Sequence, residues 1–179
     1  MFNFFKKKET AIKVIDKVMI SEPARLKAML TQWKDEKNIV FIFWFDESLR
    51  QAETYFSQHS NEPIAVITAR EAGHMPLGEK KIVFAEHYPL LSKEEELYKR
   101  MNLQTVEVFS SLNEPLFKQF GADKIIEMMQ RLGVTEDEVI EHKMVTTAIR
   151  KAQEKIEKKV LVEQTAGSQG DWLQKNYAS

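Results

Sequence analysis

Hydrophobic and polar positions along this chain alternate between two periods. Leu26, Met29, Leu30 and Trp33 recur at helical spacing behind Ser21, a candidate N-cap, with Pro23 in the first turn. The next segment, 38–45, is a continuous run of β-branched, aromatic and aliphatic residues after Asn38. Such a run suits a strand buried on both faces. Ser48-x-x-Gln51 has the form of a capping box, and Leu49, Ala52, Tyr55 and Phe56 make the inward face of the helix behind it. Residues 63–68 predict a second strand and 81–85 a third, separated by a loop over 69–80 that carries Gly73, Pro76 and Gly78. Ser92-x-x-Glu95 predicts a capped helix through about Arg100, and 104–110 a fourth strand.

The remaining pattern is helical. Leu116, Phe117 and Phe120 pack one short helix closed by Gly121; Ile125, Ile126, Met129 and Leu132 pack the next, closed by Gly133. Thr135-x-x-Glu138 predicts one more capped turn. From Met144 a longer helix carries Val145, Ala148, Ile149, Ala152, Ile156 and Val160 on one face and a mostly charged surface on the other. Alternating strands and helices predict an α/β fold, a mostly parallel four- to five-stranded sheet with flanking helices and a helical C-terminal segment. The expected organisation is an N-terminal arm over 1–20, an α/β domain over 21–133, a helical extension over 134–161 and a polar tail over 162–179. Trp172 and Tyr177 in that tail either dock on the domain or form a partner-binding motif.

Composition narrows the function. At 179 residues, 43% apolar and 30% charged, the chain has the make-up of a soluble globular domain. Its formal net charge of −1 argues against a nucleic-acid binder. With no cysteine, it has neither a disulfide framework nor a thiolate metal site, which fits a cytoplasmic protein. No apolar run reaches the roughly 20 residues that span a bilayer. Phe2, Phe4 and Phe5 ahead of Lys6, Lys7 and Lys8 offer at most a peripheral membrane contact, against the alternative that these aromatics pack on the domain.

Chemistry is sparse. After the first long apolar run comes Asp46-Glu47-Ser48, two carboxylates where a phosphate would have to sit. No G-x-x-x-x-G-K-[ST] or G-x-G-x-x-G motif occurs. His59, His74, His87 and His142 have no ligand spacing, and no serine sits in a G-x-S-x-G elbow. No catalytic residue, cofactor or metal is expected.

One segment is more specific. Phe109-Ser-Ser-Leu-Asn-Glu-Pro-Leu-Phe-Lys-Gln-Phe-Gly121, Ile140-Glu-His-Lys-Met-Val145 and Ala148-Ile-x-x-Ala-Gln-x-Lys-Ile-Glu157 lie in sequence within Val108–Glu157. Together they resemble the end of the second nucleotide-binding domain of the SecA preprotein translocase motor and the start of its scaffold helix. Upstream, Phe84-Ala-Glu-His87 is similar to the strand end of that domain. The resemblance implies a RecA-like fold and a link to polypeptide transport. It also implies an arginine-rich motif after His87, whose arginines would stabilise γ-phosphate charge. Here that segment reads Tyr88 to Asn102 without glycine, and Arg100 is its one arginine. The expectation is therefore a degenerate, pseudo-ATPase relative that binds a protein partner, either a translocase component or a client polypeptide. The alternative is a nucleotide sensor completing a site in trans with Arg100 or Arg150. A homodimer through the Met144–Val160 face is a further option. The candidate interaction surface comprises His142, Lys143, Arg150, Lys151 and Trp172.

Overall fold

A computed structural model describes residues 11–177. The elements run β1 (Lys13–Met19), α1 (Glu22–Asp35), β2 (Ile39–Phe43), α2 (Asp46–His59), β3 (Ala65–Thr68) and α3 (Ala69–Ala72). They continue with β4 (Lys81–Phe84), α4 (Leu91–Arg100), β5 (Thr105–Ser111), α5 (Pro115–Lys118), α6 (Ala122–Arg131), α7 (Lys143–Glu157) and α8 (Gln169–Asn176). Five strands form one sheet in the order β1-β5-β4-β2-β3, every pairing parallel. The α/β class and its flanking helices are as expected, and the architecture is consistent with a RecA-like fold. None of the helices among the described residues is long and apolar enough to cross a membrane.

β2 is central and buried at all five positions, which explains its unbroken apolar run. Alternate side chains divide between two layers. Phe41, Phe43, Val83 and Ala85 pack with Met29, Leu30 and Trp33 of α1 and Ala52 and Phe56 of α2. Ile42, Phe84, Val106 and Val108 pack on the other face with Ala69, Ala72, Leu97 and Tyr98. A third cluster joins Phe45, Leu90 and Leu116 to Ile156, Trp172 and Leu173, and a fourth joins Val18 to Leu112, Phe117, Ala122 and Ile149.

Several expectations are corrected. Residues 13–19, placed in an N-terminal arm, form strand β1, paired along its length with β5. The Phe/Lys run at residues 2–8 lies outside the described residues. Ser21 does cap α1, accepting from Ala24 N at 3.4 Å. The boxes expected at Ser48 and Ser92 do not form, because α2 and α4 begin ahead of them, with Phe45 and Leu90 at the N-caps; the two hydroxyls bond the Glu86 and Glu157 carboxyls instead. The capping box is instead Thr68 with Glu71, opening α3 inside the expected loop. Thr135 to Glu138 makes a hydrogen-bonded turn outside any helix; the chain beyond it bridges Ile140 to Val18. The last long helix ends at Glu157, three residues before Val160. Gly121 and Gly133 each adopt φ +81°, the left-handed geometry that bounds α6 on both sides.

Candidate functional site

Parallel strands end on one edge, and in open α/β sheets ligands bind in the crevice beyond those ends. Here that crevice is a cleft of about 220 Å³ beyond β2, β4 and β5, roofed by residues 168–170 at the start of α8. Glu86 follows β4 and is buried at 3% exposure. One of its carboxyl oxygens accepts from Trp44 N and Phe45 N, each at 2.9 Å, and from Ser48 Oγ at 2.6 Å. Those backbone donors mark the turn into α2, where an anion would have to be held. The neighbouring Glu47 N–H is bonded as well, to Gly167 O at 3.1 Å. Three amides at the entrance to α2, those of Trp44, Phe45 and Glu47, are thus taken by the protein's own acceptors. Burial pushes the Glu86 carboxyl up to about 7, against the pull of Arg25 and the Ser48 hydrogen bond.

Arg25, 1% exposed, reaches the same cleft from α1. It donates to Ala85 O at 2.9 Å, to Glu114 Oε1 at 2.7 Å and to Glu22 at 3.1 Å, leaving its Nε without a partner. Glu114 Oε1 also accepts from Ser111 N at 2.7 Å, while Oε2 is buried and accepts from nothing. Burial raises the Glu114 carboxyl although Arg25 opposes it. Four carboxyl groups, those of Glu22, Glu47, Glu86 and Glu114, therefore line the cleft with a single guanidinium.

Beside the cleft lies a sealed ionic chain. His87 Nε2 donates to Asp16 Oδ1 at 2.7 Å and Nδ1 to Glu94 Oε1 at 2.9 Å; Tyr88 N donates to that same Glu94 oxygen at 2.6 Å. Burial alone would push His87 down, but the Glu94 and Asp16 carboxylates outweigh it and hold the imidazole well above its ordinary value. Asp16 is correspondingly lowered, burial being outweighed by the hydrogen bond and charge of His87. All three side chains are at most 3% exposed, so no substrate reaches them. The chain ties β1 to the end of β4 and to α4.

The expected interaction residues separate into two groups. Trp172 is fully buried: it packs with Phe45, Leu116 and Ile156 and donates from Nε1 to Glu163 at 2.8 Å. It is a docking residue and leaves the candidate surface, because the tail folds into α8 and buries it. Gln169 fixes the same helix, accepting from Leu116 N at 2.8 Å and donating to His87 O at 3.2 Å. His142, Lys143, Arg150 and Lys151 all lie exposed along α7. His142 caps that helix, its ring nitrogen accepting from Met144 N at 3.1 Å. Arg150 pairs with Glu95 of α4 at 2.9 Å, and Arg100 with Glu96 at 2.8 Å. Beside α7 runs an apolar groove of about 260 Å³, lined by Phe117, Phe120, Ile125, Met129, Met144 and Ala148 among others. Met144 and Leu132 are each 74% exposed at this end of the molecule.

Sequence reading missed Arg25, Glu86 and Glu114. Arg25 and Glu114 are 89 positions apart, and only the parallel topology joins them. The available signal was a carboxylate directly after the apolar end of β4, where a strand buried on both faces should continue apolar.

No family model matches the chain. Among curated proteins it is 51% identical over 53 residues to the protein translocase subunit SecA of Sulfurimonas denitrificans, covering 30% of this chain and 6% of that protein. It is 49% identical over 49 residues to SecA of Chlorobium phaeovibrioides, covering 27% and 5%. With SecA of Acidithiobacillus ferrooxidans it shares 45% over 53 residues, covering 30% and 6%. The chain thus carries a SecA-derived segment, close in length to Val108–Glu157, while spanning only a small fraction of these relatives.

Proposed function

We propose that this chain is a non-catalytic, SecA-related accessory module that binds a protein partner in preprotein translocation, in the cytoplasm. The observation that carries the non-catalytic part is the acidic, partly occupied approach to the N-terminus of α2. The Trp44, Phe45 and Glu47 amides there are taken by Glu86 and Gly167, and the carboxyl groups of Glu22, Glu47, Glu86 and Glu114 line the adjoining cleft. Bringing polyphosphate there would set its charge against the Glu22 and Glu47 carboxylates at short range. The binding part rests on the apolar groove between α5, α6 and α7. Its exposed Met144 stands beside His142, Lys143 and Lys151, and methionine-lined surfaces adapt to varied apolar partners. The likeness of one segment to SecA supports the link to preprotein translocation.

The test is direct binding of the full chain to purified SecA from the same source and to an unfolded preprotein, alongside calorimetric titration with Mg·ATP. Saturable binding to either protein, weakened at least about tenfold by Met144→Glu, is the expected result. A stoichiometric heat with Mg·ATP would overturn the non-catalytic reading in favour of a nucleotide sensor. Absence of binding to both proteins would overturn the link to translocation.

A further inference from the structure

The groove beside α7 has apolar walls and charged margins. Every residue that lines it is apolar, from Val18 of β1 to Ala152 of α7. An extended peptide laid there would leave backbone N–H and C=O groups without partners, whereas a helix satisfies its own. Met144 and Ala148, both on the wall, continue at helical spacing into Lys151 and Lys155. That stripe of α7 is about 16 Å long, or about three helical turns. Lys155 Nζ lies 5.9 Å from the centre of the Phe120 ring, which is also part of the wall. On α6, Lys124 and Arg131 flank the exposed Met128 at i−4 and i+3, beside the wall residues Ile125 and Met129. The carboxylates of both helices are placed elsewhere. Asp123 and Glu127 fall on the face of α6 opposite Ile125 and Met129. Glu154 is bonded to Arg150, and Glu157 to Ser92. Lys124, Arg131, Lys151 and Lys155 are exposed and form no ion pair among the described residues. Unpaired cations on two helices therefore border an apolar trough.

We propose that the groove receives an acidic amphipathic helix of a folded protein partner, with large apolar side chains at i, i+3 or i+4, and i+7 and carboxylates beside them. This rests on the reading of the groove as the partner-binding surface and names the chemistry of the partner. The apolar side chains fill the trough, while the carboxylates meet Lys151 and Lys155 of α7 and Lys124 and Arg131 of α6. Complementary charge of this kind fixes the register of the bound helix and speeds its encounter. An anionic membrane is the poorer occupant. Flat on this scale, it would meet the cations and the protruding Met144 and Leu132 but leave the recess of about 260 Å³ unfilled.

The test is fluorescence anisotropy of the full chain with labelled helical peptides about three turns long. One carries leucines at those spacings flanked by glutamates. A second has lysines in place of the glutamates, and a third keeps the glutamates but scrambles the leucines. Vesicles of phosphatidylglycerol and phosphatidylcholine are titrated alongside. The acidic peptide should bind saturably and at least about tenfold more tightly than either other peptide. Its affinity should fall at least about threefold between about 50 and about 300 mM salt. Lys151→Glu combined with Lys155→Glu should reverse the preference between the acidic and basic peptides. Lys124→Glu combined with Arg131→Glu is the second such pair, on the other helix; all four positions are exposed. Equal affinity for the acidic and basic peptides, or a preference that neither pair of substitutions moves, would overturn the proposal. Binding to the vesicles without binding to the acidic peptide would overturn it in favour of a membrane surface. If the acidic peptide binds and SecA does not, the inference stands and the link to translocation falls. If SecA binds through Met144 while no peptide does, the groove remains a binding surface and the acidic helix is refuted.

Discussion

Replacing Glu86 by glutamine should change how stability depends on pH far more than it changes stability itself. Glu86 is fully enclosed where β4 meets α2, and burial raises its carboxyl from an ordinary 4.5 to about 7. The folded protein therefore holds this proton more tightly than the unfolded chain does. That contribution is complete below pH 4.5 and is lost as pH rises through about 7. The gap between the two values, at about 1.4 kcal/mol per unit, corresponds to about 3 kcal/mol. Glutamine keeps an oxygen to accept from Trp44 N, Phe45 N and Ser48, but it never ionises. Urea unfolding of both proteins at constant ionic strength, at intervals from pH 4.5 to pH 8, gives the difference directly. The variant should gain about 3 kcal/mol on the wild type across that range. His87 adds its own slope, since a raised imidazole loses its contribution as pH climbs beyond 6.5. Both proteins share that slope, so subtraction removes it. A difference flat to within about 0.5 kcal/mol would refute the reasoning. It would mean that the three hydrogen bonds keep Glu86 ionised in the fold in spite of burial.

Two further substitutions probe the packing. Trp172→Ala should cost about 3–5 kcal/mol in chemical unfolding, because it empties a fully buried site between α5, α7 and the turn after β2; a cost near zero would return Trp172 to the surface. His87→Leu should cost about 3–5 kcal/mol at pH 7 by leaving Asp16 and Glu94 buried without their cation. Part of that loss should be recovered on acidification, as the stranded carboxylates take up protons; a pH-independent loss would show that packing alone was affected.

The sheet was legible because its strands are buried on both faces, and a doubly buried strand carries little besides apolar residues. β2 and β4 announce themselves in this way. β1 did not, because its sequence, Lys-Val-Ile-Asp-Lys-Val-Met, is broken by charges that the fold neutralises. Asp16 meets His87 on one face, and Lys17 meets Glu107 at 3.0 Å on the other. A strand whose polar residues find partners some 70 to 90 positions away reads locally as an exposed arm. The capping errors have the same origin. Ser48 and Ser92 fit a local rule for helix caps, but packing starts α2 and α4 ahead of them, and their hydroxyls serve the distant Glu86 and Glu157 instead. The tail was read as polar for a comparable reason: Gln169 of α8 is buried and accepts from Leu116 N, half-buried Glu163 accepts from Trp172, and polarity in sequence did not distinguish bonded from solvated. The candidate site was the least legible part, since its groups come from α1, α2, β4 and the turn after β5.

The motif residues that carry the likeness to SecA have a common physical role. Leu116, Phe117, Ile149 and Ile156 are buried in two adjoining clusters, and Val18 of β1 packs into one of them. Ile140 is joined to that same Val18 by a pair of backbone hydrogen bonds, at 2.8 and 3.0 Å. Among them, Gly121 supplies the left-handed turn that lets α5 run into α6. These positions set how a helical segment closes against the edge of a parallel sheet. A segment held by such constraints is recognisable for its packing, independently of whether the sheet's carboxyl edge performs chemistry. The two can therefore part company within one chain, and here the packing residues stand beside an edge where the Trp44, Phe45 and Glu47 amides are already occupied. This is why the Met144→Glu and Mg·ATP experiments address separate properties: the first perturbs a surface that the SecA-like segment builds, the second interrogates an edge to which that segment contributes only Glu114 and its neighbours.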